Sequence, residues 1–96
     1  MIYKNIFKKI VNPKNTDIVV IVEMSGNHKN SLYSAKKFVK SAKKNGADII
    51  KFQVYKPETI TLKSDKKDFL INKKGGWKEY KYLYDLYEKA HTPWNW

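Results

Sequence analysis

Two apolar runs of strand length frame a helix-length stretch that carries one apolar stripe. Residues 18–23, IVVIVE, form a near-continuous β-branched run. Such runs suit a strand covered on both faces, as in a parallel sheet. Alternation puts Val19, Ile21 and Glu23 on one face and Val20, Val22 and Met24 on the other. Leu32, Ala35, Phe38, Val39 and Ala42 then recur at helical spacing and predict a helix over 32–45. Lys36, Lys37, Lys40, Lys43 and Lys44 cover its remaining surface, crowded toward the C-terminal half, where cations suit the helix dipole. Ser31 is placed to cap the start and Gly46 to end the helix as C′. Residues 48–55 read as a second strand, with Ile50, Phe52 and Val54 on one face and Ile49, Lys51, Gln53 and Tyr55 on the other. Strand, helix and strand joined by short connections make a βαβ unit, hence parallel pairing and a right-handed crossover.

The flanks are less regular. Residues 1–16 are a basic lead-in in which Ile2, Ile6, Phe7 and Ile10 fit a short helix or a strand equally. Pro13 ends either one, and 12–15 read as a turn. In the loop SGNHKN at 25–30, Gly26 and Asn30 can take left-handed backbone conformations. Pro57 bars helix after the second strand, Ser64 can cap a short helix over 65–71, and 72–76 is a turn with two glycines. Trp77, Tyr80, Leu83, Tyr84, Tyr87 and Ala90 share one face of a second helix predicted over 77–91, ended by Thr92 and Pro93. No repeat and no linker divides the chain. Two parallel strands need further neighbours and helices on their outer faces. The pattern is therefore α/β, the first two βα units of an incomplete (β/α)8 TIM barrel, over 17–96 behind a lead-in at 1–16. Its strand edges would want partners.

Composition narrows the functional classes. The 96 residues suit one small domain and include no cysteine, which excludes a disulfide framework and a thiolate zinc site. Two histidines are too few for a convincing metal cluster. The longest apolar run, 18–22, is far short of the roughly 18 residues that a spanning helix needs, so a soluble, cytoplasmic chain is expected. The formal charge of +11 invites a nucleic-acid surface, but all 20 basic residues are lysine. Without arginine there is no bidentate fork to read guanine or clamp phosphate, which weighs toward solvating charge.

In an α/β barrel, catalytic residues lie at the C-terminal ends of strands and in the loops that follow. Glu23 closes the first apolar run, and Lys51 and Gln53 interrupt the second on one face. A buried acid, lysine and amide are costly unless paired, so these three are the first candidates. The alternatives are a strand-end surface acid at Glu23 and an edge-strand lysine at Lys51 that blunts aggregation. A lysine and an amide in one pocket would suit an anionic substrate, a carboxylate or a phosphate. Asn27 and His28 lie on the expected active face, His28 as a functional residue or a hydrogen-bonding one. His91, near a helix end, reads as structural. Trp77, Tyr84, Tyr87, Trp94 and Trp96 could stack bases, but helical spacing favours a buried stripe. No phosphate loop or nucleophile elbow is present.

The segment VEMSGNHKNSLYSAKKFVKSAKKNGADIIKFQVYKPETITL resembles the N-terminal part of the sialic acid synthase family. The likeness rests on Glu23, Gly26, Asn27, His28, Ser31, Ala35, Ala42, Gly46, Ala47, Asp48, Lys51, Gln53, Tyr55 and Thr59, and covers about 17–96. Glu-Met-Ser-Gly-Asn-His at 23–28 and the ending LYDLYEKAHTPWNW are similar to the pseudaminic acid synthase branch. The resemblance implies a (β/α)8 barrel, a homodimer whose C-terminal antifreeze-like domain reaches the partner's site, and a divalent manganese or magnesium ion. It implies condensation of phosphoenolpyruvate with an N-acetylated amino sugar to a nonulosonic acid and phosphate, in carbohydrate biosynthesis. Lys51 would then face phosphoenolpyruvate, Glu23 and Gln53 the sugar or its aldehyde end, with Glu23 as the catalytic group. Asn27 and His28 would shape the rim. Asn-His-Lys-Asn stands for the family's Asn-His-Asn-Gly, and Trp-Asn-Trp for its Trp-Glu-Trp. The family's metal-binding histidines and most of its phosphate cradle have no counterpart in these residues. The expectation is therefore an N-terminal fragment that binds no metal and is inactive alone, or one half of a split enzyme completed by a second chain. The competing expectation is a small lysine-rich protein that binds nucleic acid or anionic surfaces.

Overall fold

The computed structural model describes residues 2–12, 14 and 18–96. The undecided lead-in is a helix, α1, Ile2–Val11. It lies against the body through Asn5, Ile6 and Lys9, opposite Val39, Ala42, Ile49 and Ile50. Lys9 Nζ reaches Asp48 Oδ1 at 3.4 Å. The expected turn at Pro13 and Asn15, and the expected domain start at Asp17, lie outside the described residues.

Strands β1, Ile21–Glu23, and β2, Ile49–Lys51, pair in parallel, with Ile21 opposite Ile49, Val22 opposite Ile50 and Glu23 opposite Lys51. Both are shorter than the apolar runs that predict them, for a reason visible at each end. At the start, the Val20 N–H donates to Asp48 Oδ2 at 3.1 Å, so a side chain takes the place of a ladder bond. At the other end, the Met24 N–H still reaches the Lys51 carbonyl at 3.2 Å, and then Ser25 turns away with φ 50°. Residues 52–56 continue with no strand of the described residues beside them, because the segment after β1 has turned away.

Helix α2, Leu32–Lys44, joins the strands as predicted. Ser31 Oγ accepts the Ser34 N–H at 3.2 Å, satisfying one of the free donors of the first turn. Gly46, at φ +86°, ends the helix in the left-handed conformation expected of it. Phe52 and Val54 share an outer groove with Leu32, Ala35 and Val39 of α2, which matches the face assigned to them by alternation.

The second half departs further from the expected pattern. Helix α3 spans Leu83–Ala90, six residues later than predicted at its start, counting from 77 to 83. Leu70 and Tyr82 form an isolated antiparallel bridge, and the Ile71 N–H donates to the Lys81 carbonyl at 2.9 Å. These bonds between the two segments hold residues 81 and 82 extended, so helix cannot begin before 83. The helix expected over 65–71 is a single 3₁₀ turn, Lys67–Phe69. Ser64 Oγ accepts the Lys66 N–H at 3.2 Å in a local turn instead of capping a helix. A second 3₁₀ turn, Pro57–Thr59, starts at the proline.

Among the described residues, the buried apolar side chains are Met24, Ala35, Pro57 and Leu86. The aromatic stripe expected to be buried is largely open: Trp94 is 68% exposed, and Trp77 and Trp96 are also exposed. The accessible surface is 8024 Å², where a compact protein of this mass has about 5,800 Å². Exposed apolar side chains include Phe52 and Val54 in the groove and Val20 and Ile21 on the strand. The α/β class stands, as a two-stranded parallel sheet with three helices among the described residues.

Candidate functional site

The parallel register sets Glu23 directly across from Lys51 at the C-terminal ends of both strands. Lys51 Nζ donates to Glu23 Oε1 at 2.6 Å. Their side chains are 52% and 55% exposed, so the expected burial of both is corrected. Among the described residues no layer covers this face of the sheet, the two charges keep their water, and the desolvation cost does not arise. An exposed pair of this kind contributes only about 0–1 kcal/mol, which leaves the lysine free to exchange one carboxylate for another anion. Gln53 lies two residues past β2 and is likewise exposed, against the expected burial; its carbonyl accepts the Thr92 N–H at 2.8 Å.

The loop at 25–30 carries the other two candidates. Asn27 is exposed, and its Nδ2–H donates to the Met24 carbonyl at 2.9 Å. Lys29 and Asn30 adopt φ 50° and 55°. Gly26 does not take the left-handed conformation expected of it. Its need is space: a Cβ there would lie 2.9 Å from the Ala90 Cβ.

His28 is placed differently from the others. Its relative exposure is 0%, and both ring nitrogens are engaged. Nδ1 accepts the Asn30 N–H at 2.9 Å, and Nε2 lies 3.3 Å from Thr92 Oγ1. The Trp96 ring stands edge-on to it, with centroids 5.1 Å apart. Burial holds the His28 imidazole below the ordinary histidine value, and the nearby His91 pushes the same way. His91, read as structural, has Nδ1 3.3 Å from the Tyr87 carbonyl. Burial raises the Tyr55 phenol above its ordinary value, and Tyr87, edge-on at 5.9 Å, adds to the effect.

The tertiary structure thus brings Glu23 and Lys51 together on an open face and places Asn27 on the loop above β1. Gln53 is fastened to Thr92 by its backbone, and His28 is sealed beneath the loop. Two contributors carry no signal in the sequence. Thr92 looks like a helix terminator, and Ala90 like one more stripe residue. Among the described residues, no group of three or more His, Cys, Asp or Glu side chains converges as metal ligands. No helix of the described residues is long and apolar enough to cross a membrane.

The NeuB family matches residues 38–96. A pseudaminic acid synthase of Campylobacter jejuni is 52% identical over 84 residues, covering 85% of this chain and 24% of that protein. A pseudaminic acid synthase of Helicobacter pylori is 39% identical over 77 residues, covering 80% of this chain and 22% of that protein. The N,N'-diacetyllegionaminic acid synthase of Legionella pneumophila is 42% identical over 48 residues, covering 50% of this chain and 14% of that protein. The chain spans about a quarter or less of the length of these curated relatives.

Proposed function

We infer the activity from kinship and position together: the chain belongs to the NeuB family, and it supplies the first strand–helix–strand of a pseudaminic or sialic acid synthase. The barrel, the substrates and the reaction belong to this proposal. C3 of phosphoenolpyruvate attacks the aldehyde carbon of an N-acetylated amino sugar and forms the new carbon–carbon bond. Water adds at C2, the bond to phosphate breaks, and a 2-keto nonulosonic acid and inorganic phosphate leave.

The observation that carries the reading is the Glu23–Lys51 pair at the C-terminal ends of two parallel strands, where α/β proteins build their sites. The Lys51 ammonium, paired with an exposed acid, is set to receive the carboxylate or phosphate of phosphoenolpyruvate. Glu23, released by that exchange, faces the aldehyde end of the sugar. The Gln53 and Asn27 amides hydrogen-bond its polar groups, and His28 shapes the rim through the loop that it supports. A divalent manganese or magnesium ion would be held by residues other than these, and no step of this chain's residues runs through it. Homodimerisation, or completion by a second chain, is part of the same proposal.

A chimera tests the reading. The corresponding 84 residues of the Campylobacter jejuni enzyme are replaced by those of this chain. The chimera is expected to release phosphate from phosphoenolpyruvate in the presence of the amino sugar. Lys51→Ala should raise KM for phosphoenolpyruvate at least tenfold, the factor that corresponds to losing about 1.4 kcal/mol of binding. A folded chimera whose KM ignores Lys51 would sink the assignment. The 96-residue chain alone is expected to form no product.

A further inference from the structure

We propose that His28 is a positioning residue: through Thr92 it holds the Gln53 main chain in register with the loop after β1, and it does so only as the neutral tautomer protonated at Nε2.

The tautomer follows from the hydrogen bonds. The Asn30 backbone N–H donates to Nδ1 at 2.9 Å, so Nδ1 carries a lone pair and no proton. The proton of the neutral ring therefore sits on Nε2, 3.3 Å from Thr92 Oγ1, and donates to that hydroxyl oxygen. The Thr92 N–H in turn donates to the Gln53 carbonyl at 2.8 Å. One continuous series of bonds thus runs from the loop after β1, through the segment after α3, to the chain beyond β2. The same segments also meet through the Trp94 Nε1–H, which donates to the Tyr55 carbonyl at 3.4 Å, and through the contact of Gly26 with Ala90. The β1–β2 ladder has already ended at Lys51, and among the described residues no strand lies beside 52–56.

A second proton on the ring has no place to go. An imidazolium would aim an Nδ1–H at the Asn30 N–H, turning an accepted bond into a donor–donor clash. The backbone would have to rotate, and Lys29 and Asn30 already stand at φ 50° and 55°, a region unfavourable to non-glycine residues unless bonds hold it. His28 is fully buried and Thr92 nearly so, with the Trp96 ring against the imidazole, so water cannot take over the lost partner. The ionisable group acting on His28 from the packed elements is His91, after α3, and it opposes the charged form. Lys29, next to it in the loop, would carry the same sign.

The sign of the pH dependence follows. The neutral form is favoured in the folded state, so the unfolded chain binds the extra proton first as pH falls. The latch is complete above the unfolded histidine value of about 6.5 and weakens as pH drops below it.

The test is a histidine ¹⁵N NMR titration of the whole chain from pH 8 to pH 5, read together with the amide signals of Asn30 and Thr92. A bare Nδ1, a protonated Nε2 and a midpoint shifted below about 6.5 are expected, with both amide signals moving in step with the ring. Thr92→Val keeps the shape and the backbone N–H but removes the hydroxyl acceptor. In that variant the Thr92 position should lose its response to His28 protonation, while Asn30 keeps its own. A ring protonated at Nδ1 overturns the proposal, as does a His28 midpoint at the ordinary value. So does a Thr92→Val variant in which the response at position 92 survives.

Discussion

Gly26 and Ala90 meet at a distance that admits no side chain on the glycine. A Cβ at position 26 would stand 2.9 Å from the Ala90 Cβ and 3.2 Å from the Ala90 carbonyl oxygen. This contact seats the end of α3 on the loop after β1, next to His28 and Thr92. It links two parts of the chain that are 64 positions apart and share no hydrogen-bonded ladder.

Gly26→Ala should therefore destabilise the fold by about 1–3 kcal/mol, the usual cost of overpacking against backbone. The obstacle is a β-carbon and a main-chain oxygen, neither of which can swing aside. Adding Ala90→Gly should recover part of the loss, because the oxygen remains. Urea denaturation of the two single variants and the double variant measures this coupling. A strictly additive cycle would mean that the two residues do not meet.

The Glu23–Lys51 pair should matter little for stability. Lys51→Met and Glu23→Gln are each expected to change the unfolding free energy by less than about 1 kcal/mol, with the difference shrinking further in high salt. In the chimeric synthase the same Lys51→Met change should weaken phosphoenolpyruvate binding, separating a binding role from a structural one. Equal, large stability losses would instead mark the pair as part of the fold's support.

Asp48 gives a second, more acidic pH dependence. The Val20 N–H holds its carboxyl below the ordinary aspartate value, outweighing partial desolvation, and Lys9 adds to the effect. A lowered folded value means that stability is present above the unfolded aspartate value, about 3.9, and is lost as pH falls through the folded one. Thermal unfolding midpoints should decline below that point in the native chain and decline less in Asp48→Asn. The His28 effect lies at higher pH, so the two are separable in one pH series.

Much of this was legible from residue order. The βαβ unit, the Ser31 cap, the Gly46 stop and the two faces of the second strand follow from periodicities of 2 and 3.6 and from local steric rules. Those rules act within a few residues, so a sequence displays them. Lys51 and Glu23 were legible as polar interruptions of apolar runs. Their solvent exposure was not, because burial depends on what lies on the other side of the sheet. The helix start at 83 was hidden for the same reason: the competing bridge between Leu70 and Tyr82 joins residues 12 positions apart.

By itself, then, the amino-acid sequence determined the strand–helix–strand order over 18–55, where α2 begins and ends, and which family these residues resemble. Those are properties of local propensity, spacing and identity. Only the tertiary structure decided that Glu23 and Lys51 form an open ion pair and that Gly26 makes room for Ala90 without taking a left-handed conformation. It alone also decided that His28 points inward, with one tautomer and Thr92 as partner. Each of these depends on which distant atoms arrive at a few ångströms, and no one-dimensional pattern encodes that distance.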